Sequence, residues 1–268
     1  MTSDVAVIVT AYNYGRWLPE ALASLDQQTH PPAEIVIVDD ASTDVATVAL
    51  LDRLEAEGRR VIRRGSNGGP SAARNTALAE ITSPYVVCLD ADDLLGPRHC
   101  ELGATALDAD PEVGLVRLST EFIGDSTGVL PLGGGTVAHL LLSNWVPQAS
   151  MFRRADAEAV GGYEERLRIY ADQDLWLAIV GLGRRIEIID EVTHFYRRHG
   201  TQATSHLDHD RQVAAKALIM RKHAAQYAEH AEEIWRILGQ RDRVLDSFKR
   251  RYGPALRVVH RLRRWVRR

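Results

Sequence analysis

Short apolar runs that stop abruptly in polar residues recur through the first hundred positions. Val5-Ala6-Val7-Ile8-Val9 ends at Thr10-Ala11-Tyr12-Asn13, and Glu34-Ile35-Val36-Ile37-Val38 ends at Asp39-Asp40. Tyr85-Val86-Val87-Cys88-Leu89 ends at Asp90-Ala91-Asp92-Asp93. Runs this short, apolar throughout and rich in β-branched residues predict strands buried on both faces of a sheet. Between them the apolar period lengthens. Trp17, Leu18, Ala21, Leu22 and Leu25 recur at helical spacing before His30-Pro31-Pro32. Val48, Leu51 and Leu54 give a second helical face, closed at Gly58. Arg60 to Arg63 is a weak third strand, and the turn Ser66-Asn67-Gly68-Gly69-Pro70 leads into a third helix through Ala72, Ala73, Leu78 and Ile81. This alternation predicts a mostly parallel sheet with helices on both faces. Trp17 and Trp176, each on an apolar helical face, are expected in the core.

Beyond Pro97 the rhythm changes. A helix is expected around residues 98–109, a strand near Val113 to Leu118, and an irregular, mobile loop across the glycine-rich stretch Gly124 to Gly135. A short helix at His139 to Leu142 and a short strand at Gln148 to Phe152 come next. Leu175, Ile179 and Leu182 then predict a helix that starts near Asp172, with Asp172 as its N-cap. Val192 to Arg197 reads as a last strand, and from about Asp208 the chain is helical and polar. His194 lies inside that strand and is expected to be structural. Asp39 and Asp44 are expected to shape their turn by bonding the backbone.

Composition narrows the class. At 268 residues, 45% apolar and 26% charged, the chain suits one sizeable α/β domain with a small appendage. Two cysteines, Cys88 and Cys100, are too few for a disulfide framework and suit a reduced, intracellular protein. No signal-peptide pattern opens the sequence, and no apolar run nears the roughly 18–20 residues of a membrane span. The net charge of −3 conceals an asymmetry: residues 249–268 hold nine basic residues and no acidic one, leaving 24 basic against 36 acidic, about −12, in the body. No nucleic-acid partner is expected of such a body. After Pro254, Ala255, Val258, Val259, Leu262, Trp265 and Val266 share one helical face and arginines fill the other, which reads as a membrane-surface anchor over residues 254–268.

Candidate chemistry gathers at the strand ends. Three carboxylates within four residues at the end of a buried strand repel one another and resist desolvation. A hard divalent cation would neutralise them and hold phosphate oxygens in turn. In open α/β sheets ligands bind beyond the carboxyl ends of the strands, where Thr10/Tyr12, Asp39/Asp40 and Asp90/Asp92/Asp93 all fall. No G-x-G-x-x-G follows the first strand, so this is not a dinucleotide site.

With these residues in view, the chain resembles the family 2 glycosyltransferases of the GT-A fold. The matching pieces are Val7 to Asn13, Ile37 to Asp44, Asn67 to Asn75 with Ala73-Arg74-Asn75, Asp90-Ala91-Asp92-Asp93, the Asp172 segment and Tyr196-Arg197-Arg198-His199, across roughly residues 4–205. The resemblance implies that Thr10, Tyr12 and Asp40 hold the nucleoside, with Asp40 accepting from the base edge, and that Arg74 lies against the nucleotide. Asp90 would meet the ribose or metal-bound water, and Asp92 would bind Mn²⁺ or Mg²⁺ across the diphosphate, with His199 as a further ligand and Asp93 as support. Asp172 matches the general base. Two departures stand out. Ala171 replaces a usual glutamate, which leaves Asp174 as an alternative base or acceptor contact. Ala41 replaces a common glycine, a minor change if that position avoids positive φ. Trp145, next to Asn144 in a loop, is a candidate for stacking on an acceptor sugar.

The implied fold is a Rossmann-like GT-A sheet, mixed but mainly parallel and flanked by helices, with a helical C-terminal extension. Residues 1–205 would form the catalytic domain, divided into a nucleotide half (1–97) and an acceptor half (98–205), and residues 206–268 the extension. The implied activity is inverting, metal-dependent transfer from a UDP-, dTDP- or GDP-sugar to a glycan or lipid-linked acceptor in bacterial polysaccharide or envelope synthesis. The protein would be cytoplasmic, peripheral at the inner face of the membrane. One rival, a nucleotidyltransferase of related fold, needs a glycine-rich phosphate loop with a basic residue after the first strand, which Thr10 to Asn13 do not supply. The other, a non-catalytic nucleotide- or sugar-binding module, fits poorly with the retention of both Asp92 and Asp172.

Overall fold

A computed structural model describes residues 4–200 and 208–244. The basic stretch 254–268 lies outside the described residues. Among the described residues nine strands form one sheet. Four are the expected parallel set: β1 (Val5–Ala11), β2 (Glu34–Asp39), β3 (Arg60–Arg63) and β4 (Tyr85–Asp90). The remainder are β5 (Leu94–Leu95), β6 (Val113–Gly124), β7 (Gly128–Val129), β8 (Met151–Arg153) and β9 (Arg185–Arg198). Their spatial order is β3-β2-β1-β4-β8-β6-β9-β5, with β7 on the side of β6. β8 runs antiparallel to both β4 and β6, and β6 and β9 run parallel, so the sheet is mixed.

The pleat explains which helix covers which face. Val5, Val7, Val9 and Ala11 share a core with leucines of α1 (Leu18–Asp26) and α2 (Val45–Ala56) and with Leu107 of α4 (His99–Ala109). Alternate residues point the other way, and there α3 (Pro70–Leu78) packs on β1 and β2 and α7 (Ala171–Gly181) on β6. With both faces covered, β1 is buried along its whole length, as its unbroken apolar run requires. The smaller α5 (Val137–Leu142) and α6 (Arg154–Ala159) lie against α7.

The glycine-rich stretch is irregular apart from β7 and folds back on the interior. Gly133, at φ +75°, sits so close to Trp145 that a Cβ there would lie 2.5 Å from the tryptophan Cβ. Two strands run longer than their apolar cores. β6 reaches Gly124, and β9 begins at Arg185, from which Arg185 to Ile189 pair along β6. After the last strand come α8 (His209–Lys222) and α9 (Ala224–Glu229), and residues 231–244 are helical. The chain forms two compact units, 1–223 and 224–268, so α8 belongs to the first unit, beyond the boundary at 205 read from the sequence. Among the described residues no helix is long and apolar enough to cross a membrane. Cys88 and Cys100 are both buried and unpaired.

Candidate functional site

The parallel register aligns the polar ends of three strands. Thr10 pairs with Asp90, and Ala11 with Asp39, so β1, β2 and β4 bring their polar ends to one edge. Thr10 Oγ1 donates to Asp90 Oδ1 at 2.9 Å, and the buried Arg74 of α3 reaches the same oxygen through Nη2 at 2.6 Å. Arg74 also lies over the Tyr163 ring, at 5.4 Å. The adjoining Asn75 accepts the Tyr163 N–H at 2.8 Å and donates to its carbonyl at 2.9 Å. The Ala73-Arg74-Asn75 piece thus fixes one guanidinium at the strand ends and one distant loop.

Asp40 is buried and ties down the loop that precedes α3. It accepts from Arg64 Nη1 at 2.7 Å and from the Gly68 and Gly69 amides at 2.9 and 2.6 Å. Tyr12 stands beside it with 42% of its surface exposed, an aromatic face open to a ligand. Asp39 accepts the Ser42 amide, and Asp44 caps α2 by accepting the Thr47 amide at 2.8 Å, as their positions in the turn suggested. Ala41 corrects an expectation. Its φ is +63°, the left-handed region that the common glycine would occupy without strain.

Beyond Asp90 the chain turns the other two acids into the protein. Asp93 is buried, accepting the Arg197 amide at 2.8 Å and facing His194 Nε2 at 3.2 Å, while Thr120 takes the other ring nitrogen at 3.0 Å. His194 is therefore structural, and burial pulls it down to about 4. Asp92 lies 2.9 Å from His199 Nε2, two residues 107 positions apart brought together by the end of β9. Burial first, then the charges of Asp93 and Asp90, push the Asp92 carboxyl up to about 7, with His199 opposing. Burial likewise holds Asp93 well above the usual carboxylate range. Among the described residues no group of three or more His, Cys, Asp or Glu forms a metal cage. The donor set still fits Mg²⁺ or Mn²⁺, which take one or two protein ligands and complete their shell with water and substrate phosphates.

Trp17 is not the core residue its spacing suggested. It is half-buried at the N-terminus of α1, with Arg16 and Arg197 each 4.3 Å from its ring centroid and His199 at 5.9 Å. With Asn13, Tyr14, Arg16, His199 and Gly200 it lines an open cavity of about 280 Å³ beside the Asp92–His199 pair. Arg197 holds the back of this wall, donating Nε to the Asp92 carbonyl at 2.8 Å and Nη2 to Glu20 at 2.6 Å. Trp176, by contrast, is fully buried as expected.

Asp172 stands in the first turn of α7. It is not the N-cap. That position belongs to Tyr170, left-handed at φ +60°, which places Asp172 one residue inside the helix. Burial raises its carboxyl above the usual range, opposed by the Gln173 amide, the charge of Arg74 and the side chain of Asn144. Asn144 Nδ2 donates to Asp172 Oδ2 at 2.6 Å. Asp174 points elsewhere: it is buried and paired with Lys222 at 2.6 Å and His223 at 2.8 Å. Trp145 is also buried, 6% exposed, with its ring under Gly133 and its carbonyl accepting Arg117 Nε. Sequence reasoning missed Asn144, Trp17 and Arg197. For Arg197 a signal existed, since it lies within the matching piece around His199.

The chain and its fold resemble several known proteins. The model of glycosyl transferase family 2 matches residues 6–130. The uncharacterised glycosyltransferase YwdF of Bacillus subtilis is 29% identical over 65% of this chain and 66% of its own length. The succinoglycan biosynthesis protein ExoU of Rhizobium meliloti is 28% identical over 70% of this chain and 60% of its own. The chain thus spans under two thirds of either relative. Among solved structures, S. aureus TarS 1–349 with UDP-GlcNAc superposes at a TM-score of 0.68 with 21% identity, covering 81% of this chain and 65% of TarS. The mannosyltransferase PcManGT of Pyrobaculum calidifontis, with GDP-Man and Mn²⁺, gives 0.59 at 18% identity over 91% and 81%. Residues 6–130 thus match glycosyl transferase family 2, and the sheet built on them has the GT-A fold.

Proposed function

We propose that the protein is an inverting, metal-dependent glycosyltransferase that moves a sugar from a nucleotide donor to a glycan or lipid-linked acceptor in polysaccharide or envelope synthesis. One observation carries this reading. Arg74 is bonded to Asp90 on the nucleotide side while its charge acts on Asp172, so a donor-binding edge and a half-buried carboxylate base share one guanidinium. The names of the relatives point the same way: ExoU is a succinoglycan biosynthesis protein, TarS was solved with UDP-GlcNAc and PcManGT with GDP-Man and Mn²⁺.

In this reading Tyr12 stacks on the base, Asp40 shapes the loop against it, and Thr10 and Arg74 fix Asp90 toward the ribose. Asp92 and His199 would hold Mn²⁺ or Mg²⁺, which when bound supplies positive charge to the diphosphate leaving group. Asp172 accepts the acceptor hydroxyl proton as the oxygen attacks the anomeric carbon from the face opposite the diphosphate. A single displacement inverts the configuration, and no second carboxylate nucleophile is needed. Asp174, neutralised by Lys222 and His223, leaves this role to Asp172. The basic stretch 254–268 would bring the protein to an anionic membrane surface from the cytoplasmic side, where lipid-linked acceptors are found.

The test is a panel of UDP-, dTDP- and GDP-sugars with Mn²⁺, followed by thermal shift and by nucleoside diphosphate release. One donor class should stabilise the protein in a metal-dependent way. If no nucleoside diphosphate stabilises it, the transferase reading fails.

A further inference from the structure

Asn144 belongs to none of the matching pieces, yet its amide meets the carboxylate that the proposed reaction depends on. Its Nδ2 donates to Asp172 Oδ2 at 2.6 Å, and its Oδ1 accepts the Val146 N–H at 3.3 Å. The second bond decides how the amide faces. With Oδ1 turned to Val146, only an N–H can meet Asp172. A group that can only donate favours a carboxylate over a carboxylic acid.

The segment that carries Asn144 is clamped on three sides. Arg117, wholly buried in β6, donates Nε to the Trp145 carbonyl at 3.2 Å and Nη2 to the Pro131 carbonyl at 3.1 Å. Trp176 Nε1 donates to the Val146 carbonyl at 3.3 Å. Trp176 lies four residues after Asp172, so one face of α7 presents both the acid and the indole to the same short segment. Gln173 of α7 adds a bond to the Leu140 carbonyl. Asn144 and Asp172 are therefore held at a fixed separation by contacts on both sides of their bond. A residue whose only task was to end α5 would need none of this.

We propose that Asn144 is a positioning residue for the general base: its N–H engages Asp172 Oδ2, keeps the carboxylate ionised and aims it at the acceptor. This rests on the assignment of Asp172 made under Proposed function. In the step it serves, the acceptor O–H proton passes to the Asp172 carboxylate and the oxygen's electron pair forms the bond to the anomeric carbon. The anomeric C–O bond to the donor breaks, and its electron pair leaves on the diphosphate.

Two readouts on the full chain test this. Carboxyl-¹³C NMR, with the Asp172 signal assigned by its loss in Asp172→Asn, titrates the group without substrate. Release of nucleoside diphosphate from a nucleotide sugar with Mn²⁺, water serving as acceptor, reads turnover. In Asn144→Leu, which keeps the bulk and donates nothing, Asp172 should titrate about one pH unit higher. Its kcat should fall roughly 10- to 100-fold, with donor KM unchanged and the acidic limb of the kcat profile moved up alongside Asp172. Asn144→Ser, which can donate again, should recover part of both effects. An unmoved Asp172 titration in Asn144→Leu overturns the proposal, and an inactive Asp172→Asn then leaves the base assignment standing. If Asp172→Asn keeps turning over, the base assignment falls and the role of Asn144 falls with it. Should Asn144→Leu fail to fold, Asn144→Ala, which also donates nothing, bears the same test, and an Asp172 titration identical to that of the unaltered protein overturns the proposal.

Discussion

Lys222 and Asp174 meet at 2.6 Å, which fastens the end of α8 to the first turn of the helix that carries Asp172. The contact does not stand alone. Tyr170 donates its hydroxyl to Gln212 at 3.3 Å and lies under Lys216 at 4.2 Å, and Lys216 also bonds Gln173. A helix read from sequence as part of an extension thus anchors the turn in which the proposed base sits. Asp174→Ala takes this carboxylate from His223 and leaves Lys222 with Glu164 at 3.4 Å. Breaking a buried pair from one side costs about 3–5 kcal/mol. Because Lys222 is a third exposed, we expect a smaller loss for Lys222→Ala, about 1–2 kcal/mol. Urea denaturation of the two variants measures both values, and equal small losses would show that α8 does not anchor α7.

Ala41 offers a gain in stability. Its left-handed backbone strains any residue with a Cβ by about 1–2 kcal/mol, while glycine costs about 0.5–1 kcal/mol in chain entropy. Ala41→Gly should therefore stabilise the fold by up to about 1 kcal/mol, and Ala41→Val should destabilise it. The urea midpoints of the two variants should move in opposite directions.

Acid should unfold the protein partly through His99. The ring is buried, held by Thr193 Oγ1 at 2.9 Å and the Ala149 carbonyl at 2.9 Å, and burial lowers it to about 3, with His194 adding to the effect. The unfolded chain takes up this proton near pH 6.5, while the folded chain resists until about pH 3. Between those values the unfolded state binds more protons, so stability falls as pH falls, by up to about 1.4 kcal/mol per unit for one such group. Urea midpoints taken from pH 7 to pH 4 should decline, and His99→Gln should flatten the decline while lowering stability at pH 7.

Arg197 should matter to metal and donor binding without touching either. Its Nε and Nη2 go to different partners, the Asp92 carbonyl and Glu20, so a lysine cannot replace the fork. Arg197→Lys is expected to weaken Mn²⁺-dependent donor binding roughly 10-fold, in the range seen when groups behind a ligand are removed. Titration calorimetry with nucleoside diphosphate and Mn²⁺ gives the affinity, and an unchanged value would show that Asp92 needs no such support.

How far these contacts could be read in advance depended on where each signal lies. β1, β2 and β4 are buried on both faces, so their sequences are apolar without interruption and their polar ends stand out. The first half of β9 alternates only over Arg185 to Ile188, after which Ile188-Ile189 and Asp190-Glu191 break the period and hide the strand. Asp90, Asp92 and Asp40 were legible because each follows a strand directly. Asn144 was not, since its partner is 28 residues away and nothing local shows that α5 ends against α7. Trp17 and Trp145 were read in reverse: helical spacing does not show the two arginines that cover Trp17, and a loop position does not show the folded-back glycine segment that covers Trp145.

β9 is a measuring rod for the site. Its pairing with β6 skips Asp190 and Glu191 between Ile189 and Val192, and skips Thr193 before His194, after which every residue to Arg198 is matched in step. Asp190 and Glu191 break the ladder, whereas Thr193 is buried and holds His99, and the stretch after it runs in step. A residue lost near Asp190 can be taken up where the ladder is already broken. A residue lost between His194 and Arg198 would pull His199 about 3.3 Å along the strand and turn its side chain to the other face. Length variation in this strand should therefore be tolerated ahead of Val192 and excluded behind it.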